Sequence, residues 1–97
     1  MTAAILTNEE LCISQAQHCI GLDKRKPYKR HGKLFYRPFR NHFYTRADDP
    51  VWTEMANAGY ARHWAVGRDG YADYYLTRAG LNWLGEKLGM YIHNEEE

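Results

Sequence analysis

Residues 49–80 read DPVWTEMANAGYARHWAVGRDGYADYYLTRAG, and this stretch decides the fold. Asp49-Pro50 opens a helix, with aspartate as N-cap and proline at the first helical position, where a missing N–H costs nothing. Trp52, Met55 and Ala56 give it an apolar stripe, and Gly59 ends it after at most about two and a half turns. Tyr60–Val66 and Tyr71–Leu76 are aromatic, β-leaning runs. The four residues between them, Gly67-Arg68-Asp69-Gly70, predict a β-hairpin. Thr77 then caps a helix on which Leu81, Leu84, Leu88 and Tyr91 share one face, with Gly89 just past its end.

Towards the N-terminus, Thr7 and Glu10 form a T-x-x-E capping box, with Leu6 and Leu11 placed as its hydrophobic staple. Cys12, Ala16, Cys19 and Ile20 recur at helical spacing and Gly21 supplies a left-handed cap, so a helix spans roughly residues 8 to 20. On such a helix the two cysteines lie about 10 Å apart along the axis, too far for a disulfide. Both read as small buried hydrophobes in a reducing cytoplasm. Asp23 to Gly32 is charged, aperiodic and interrupted by Pro27, and reads as an exposed loop. Lys33 to Arg46 is β-like. Phe39, Asn41 and Phe43 alternate there with Arg40, His42, Tyr44 and Arg46, and Pro38 favours an edge position or two short strands.

The formal net charge of +1 conceals a segregation. Lys24 to Arg46 holds nine Lys or Arg, six aromatic rings, two histidines and no carboxylate, against four Lys/Arg and twelve Asp/Glu elsewhere. That is +9 in one block and −8 in the rest. Such a block attracts a polyanion and offers rings for stacking on bases. Lys24, Arg25, Lys26, Lys29, Arg30 and Lys33 would contact phosphates from a mobile loop. Arg37, Arg40, His42, Tyr44 and Arg46 would form the fixed outward set, and Tyr28, Tyr36 or Tyr44 would stack. Arg62 and Arg68 mark a second, weaker patch at the hairpin tip, opposed by Asp69 and Asp73. Two other readings stay open. Phe35, Phe39 and Phe43 are core and the cations a solvated face, or the block docks on an acidic protein, including a second copy of this chain.

The order helix, basic strand region, helix, hairpin, helix has a counterpart. W-x-x-M-x-x-A-G-Y (Trp52–Tyr60), a hairpin, and Y-Y-L-T-R-A-G (Tyr74–Gly80) together resemble the wing half of winged helix-turn-helix proteins. The chain also resembles small phage-encoded proteins of unassigned function. Their H-x-x-G-L segment corresponds to His18–Leu22, and a Y-R-N-x-F-like segment to Phe39–Phe43. The resemblance spans roughly residues 8 to 88 and implies an α+β, winged-helix-like domain, with three helices, a small antiparallel sheet and a β-hairpin wing. This sequence departs from the pattern where a groove-reading helix would lie. Pro50 to Ala58 carries no Lys or Arg, and Asp48, Asp49 and Glu54 make it acidic, a poor fit to phosphate-lined DNA.

Catalysis and metal binding find little support. Ser14 is the only serine and lies inside a helix, no glycine-rich loop has a phosphate-binding setting, and the basic block has no carboxylates for a nuclease. His31, His42, His63 and His93 are scattered, and Cys12, His18 and Cys19 lack ligand spacing, so neither a metal nor another cofactor is expected. No apolar run reaches the length of a membrane span, and no secretory signal is evident. The expectation is one domain over residues 1–93 with a disordered acidic tail at 94–97. Its core holds Trp52, Met55, Trp64, Leu76, Leu81, Leu84 and Leu88. The expected role is that of a cytoplasmic, phage-type accessory protein that binds nucleic acid without catalysis. The alternative is an interaction module or inhibitor that binds an acidic protein or itself.

Overall fold

The computed structural model describes Leu6, residues 8–22 and residues 26–94. These residues form an α+β structure in the order α1 (Glu9–Cys19), β1 (Tyr28–Arg30), β2 (Lys33–Tyr36), β3 (Phe43–Arg46), α2 (Pro50–Asn57), β4 (Ala61–His63), β5 (Tyr71–Leu76), α3 (Arg78–Leu88) and β6 (Tyr91–Ile92). The strands make two three-stranded sheets, β3-β5-β4 and β1-β2-β6.

Local chemistry sets the helix ends. The Asp49 carboxylate accepts from the Val51 and Trp52 amides at 2.9 and 3.2 Å, and the Thr77 hydroxyl accepts from the Gly80 amide at 3.1 Å. All three helices stop alike. Gly21, Gly59 and Gly89 turn left-handed, with φ of 79°, 85° and 71°. The next amide then reaches back five residues at 2.9 Å: Leu22 to Gln17, Tyr60 to Met55, Met90 to Gly85. This is the Schellman closure, and in each case the apolar residue after the glycine packs against the core.

The β3-β5-β4 sheet is antiparallel, and its inner face carries Phe43, Ala61, Ala72, Tyr74 and Leu76. Trp52 of α2 is fully buried against it, its ring 5.1 Å from Phe43 and 5.4 Å from Tyr74. The apolar sides of α1 and α3 close the core with Cys12, Ala16, Cys19, Leu81 and Leu84. Both cysteines are buried free thiols, and burial, with Glu54 and Glu9 nearby, pushes Cys12 up to about 11. Asn41 lies beside β5 where β3 has not yet begun. Its side-chain amide donates to the Leu76 carbonyl at 3.0 Å and accepts from the Leu76 amide at 2.8 Å, standing in for the missing strand.

The second sheet pairs β1 with β2 antiparallel and β2 with β6 parallel. Its inner side is fixed by Tyr36 and Ile92, both buried, and the Tyr36 hydroxyl donates to the Ile20 carbonyl at 2.9 Å. The β1–β2 connection is His31-Gly32, both with positive φ (52° and 77°), the two-residue turn whose twist suits a tight hairpin.

Several expectations need correction. The segment read as a loop from Asp23 to Gly32 contains strand β1, because the aperiodic residues Tyr28–Arg30 pair with β2 through that tight turn. The strand expected over Phe39–Arg46 begins only at Phe43. Phe39 is 47% exposed and lies against Gly21, and Phe35 is only half-buried, so Phe43 alone of the three phenylalanines packs against the core. Trp64, placed in the core, is 67% exposed: β4 ends at His63, and Trp64 follows Arg62 onto the outward side. Tyr91 leaves α3 after the Gly89 turn and enters β6, so the sheet content is not one antiparallel sheet. At the N-terminus, α1 starts after Asn8, and Thr7 lies outside the described residues. Leu11, placed as the staple, is 40% exposed, and Cys12 is the buried residue of this turn. Asn94, read as the start of the tail, is half-buried, and residues 95–97 lie outside the described residues. No helix among the described residues is long and apolar enough to cross a membrane.

Candidate functional site

Folding divides the basic block between the two sheets. Its first half lies on the β1–β2 hairpin, where every residue from Tyr28 to Lys33 is exposed. Lys26, Lys29, Arg30 and Lys33 have no carboxylate partner among the described residues, and Lys24 and Arg25 fall outside them. The pairing register puts Tyr28, Phe35 and Tyr91 in one row across the three strands, with Arg30 and Lys33 in the next row on the same face. Tyr28 stacks on Phe35 at 5.8 Å, and His93 stacks on it at 6.0 Å. Tyr28 Oη and His93 Nε2 meet at 3.2 Å. Tyr91 contacts Phe35 edge-on at 6.3 Å and carries the Arg78 guanidinium 5.3 Å from its ring centre. Arg78 is held there by its bond to the Ile92 carbonyl at 2.5 Å and by Asn82 at 3.1 Å. Tyr28 and Tyr91 remain 41% and 43% exposed. A groove of about 430 Å³ between Lys29–Phe35 and Gly89–Tyr91 adjoins this sheet.

The second half of the block meets carboxylates, two of them, Asp69 and Asp73, distant in sequence and one, Asp48, close by. His42, Tyr44 and Arg46 do face outward, as the alternation implies. His42 Nδ1 lies 3.5 Å from Asp73, an ion pair when the imidazole is protonated. Tyr44 donates to Asp69 at 2.8 Å and stacks on Tyr71 at 5.3 Å. Arg46 pairs with Asp48 at 3.1 Å. Arg40 donates to the His18 carbonyl at 2.8 Å, 22 residues away in sequence, so it braces the chain as well as carrying charge. Arg37 is exposed beyond β2. Arg68 is exposed at the hairpin tip next to Asp69. Arg62, expected there, lies in β4 opposite Tyr75, towards the other end of the hairpin, because the strand pairing places the turn only at Gly67–Gly70. This outer face therefore mixes both signs and is a weaker polyanion surface than its block of cations implies. Of the three tyrosines expected to stack on bases, Tyr36 is buried, while Tyr28 and Tyr44 are both exposed and each stacked on one neighbouring ring. Tyr44 stands beside the Asp69 carboxylate, and Tyr28 beside cations that have no carboxylate partner among the described residues.

The Asp69 contacts set a pH dependence. The Tyr71 amide, first, and the Tyr44 hydroxyl hold its carboxyl below the ordinary 3.8, while the same bond pushes Tyr44 above its ordinary 10.0. A depressed folded value means that the carboxylate supports the folded hairpin fully above the ordinary value. That support is lost as pH falls through the folded one. Carboxyl NMR should show Asp69 titrating below the ordinary range. Tyr44→Phe should raise it part of the way, since the Tyr71 amide remains. An unchanged midpoint would dismiss the hydroxyl's share.

Sequence reasoning missed Phe35, Tyr91, His93 and Arg78 as members of one surface. Alternation of Lys33 and Phe35 with Leu34 and Tyr36 was the available signal for Phe35. The two-residue parallel strand β6 has no local signature, and it alone brings Tyr91 and His93 to the hairpin. Among the described residues no three His, Cys, Asp or Glu side chains come together to hold a metal ion. No family model, curated protein or solved structure matches this chain.

Proposed function

We propose that this protein binds nucleic acid without catalysis, and that the β1–β2 hairpin is the centre of the binding surface. One observation carries this reading. Lys26, Lys29, Arg30 and Lys33 are exposed on one hairpin and have no carboxylate partner among the described residues, and Arg30 and Lys33 share the face of the exposed rings Tyr28 and Tyr91. Cations left unneutralised in a folded protein gain most from phosphates, because binding releases the counterions that phosphates condense. The rest of the basic block contributes less, since Asp48, Asp69 and Asp73 already answer Arg46, Tyr44 and His42.

The second half of the chain supports a winged-helix-like arrangement. Strand β3, helix α2, the β4–β5 hairpin and α3 follow one another, and the sheet order is β3-β5-β4. A single helix lies between β3 and β4, its exposed positions Thr53 and Asn57 are uncharged, and the hairpin tip carries Asp69 beside Arg68. On this reading the protein does not use the winged-helix groove-reading mode. Its nucleic-acid contacts come from the other sheet.

Charge reversal tests the proposal. In fluorescence anisotropy at low salt, Lys29→Glu/Arg30→Glu/Lys33→Glu should weaken binding about a hundredfold. The slope of log affinity against log salt should flatten by about 2, roughly 0.7 for each phosphate of a single strand that the variant no longer neutralises. Equal affinity of this variant and the wild type would remove the hairpin from the interface.

A further inference from the structure

We propose that the target is single-stranded nucleic acid, held by stacking of its unpaired bases on the aromatic face of the β1-β2-β6 sheet. This rests on the nucleic-acid reading and adds the class of target and the mode of contact. The inner side of the sheet is committed to the core through Tyr36 and Ile92. Its outer side presents Tyr28, Phe35, Tyr91 and His93 as one connected set of rings. Arg30 and Lys33 flank this set at the hairpin end, and Arg78 flanks it beyond Tyr91.

Charge complementarity decides what covers this face. An apolar protein partner would have to strip water from the cations, whereas a polynucleotide supplies phosphates for them and flat bases for the rings. Adjacent strands lie about 4.8 Å apart, so the row from Tyr28 to Tyr91 spans about 10 Å, room for two or three nucleotides. Because the rings already hold one another, a base that stacks on Tyr28 or Tyr91 orders little further side chain, and less entropy is lost on binding. A duplex cannot use the platform, since its bases are already stacked and paired, with only their edges showing.

Four labelled probes of about 12 nucleotides or base pairs test this by anisotropy on the full chain. They are oligothymidylate, oligouridylate, a duplex, and an abasic deoxyribose-phosphate oligomer. At least one of the two single strands should bind about tenfold or more tightly than both the duplex and the abasic chain. Comparison of the thymidylate and uridylate arms separates DNA from RNA as the source. Tyr28→Leu and Tyr91→Leu should each weaken that binding about tenfold with the salt slope unchanged, because a ring and not a charge is removed. Tyr91→Phe, which keeps the ring, should bind as the wild type does. Equal affinity for the abasic chain, or for the duplex, would overturn stacking while leaving phosphate binding by the hairpin intact. Failure of the wild type to bind any probe at low salt would overturn both. The abasic comparison uses the wild-type protein alone, so it stands even if a ring variant fails to fold.

Discussion

Trp52→Ala should destabilise the protein by about 3–5 kcal/mol, the range for deleting a large aromatic from a packed core. Trp52 is fully buried, and its ring is bracketed by Phe43 from β3 and Tyr74 from β5, so truncation opens a void where helix and sheet meet. A domain of this size has roughly 5–15 kcal/mol in total, and about 1 kcal/mol moves its melting temperature by about 4–8 °C. The variant should therefore melt at least about 12 °C lower. Trp52→Phe separates packing from polarity. The indole N–H of Trp52 is buried without an acceptor among the described residues, so its removal discards a desolvated donor and offsets part of the lost area. The phenylalanine variant should lose less than half as much stability as the alanine variant. A denaturant midpoint for Trp52→Ala within about 1 kcal/mol of the wild type would contradict this placement of the core.

Gly80→Ala carries the second large effect, and its sign opposes helix propensity. In an unconstrained helix interior the change should stabilise by up to about 1 kcal/mol. Gly80 lies in the first turn of α3, and a Cβ there would run into the Tyr60 carbonyl oxygen. That oxygen is main chain and already accepts from the Thr77 amide at 3.0 Å, so it cannot turn aside. We expect a loss of about 3 kcal/mol, the upper range for overpacking, read as a lower denaturant midpoint with an unchanged slope. A variant more stable than the wild type would mean that α3 and Tyr60 do not meet in this way.

The same joint shows why much of the second half was legible. Ala58-Gly59-Tyr60 and Thr77-Arg78-Ala79-Gly80 stand far apart in sequence, yet they come together in the fold. Thr77 caps α3, its hydroxyl donates to the Gly59 carbonyl at 2.7 Å, and Gly80 admits the Tyr60 backbone. Caps, turn residues and helical spacing are local chemistry, so they can be read from neighbours in the chain. The first half was less legible because its strands are set by partners far away. Tyr28–Arg30 becomes a strand only through pairing with β2, and β6 joins β2 from 55 or more residues further on. Trp64 failed as a core residue for a related reason: composition reports an aromatic side chain, whereas the end of β4 decides which way it faces. At the candidate site, Lys29, Arg30 and Lys33 could be read from charge alone. The pairing of Arg46 with Asp48, two residues on, was equally local, whereas the contact of His42 with Asp73 could not be read, since only the fold brings them together.

The central claim places binding on the β1-β2-β6 sheet, and amide and side-chain chemical shifts report that place directly. In a titration of the labelled protein with a single-stranded oligomer of about 12 nucleotides, the largest shift changes should fall on Tyr28–Phe35, Arg78 and Tyr91–His93. The Tyr28 and Tyr91 ring protons should move upfield as bases stack on them. Changes concentrated instead on Tyr44, Trp64 and the Gly67–Gly70 turn would put the interface on the other sheet and contradict the account.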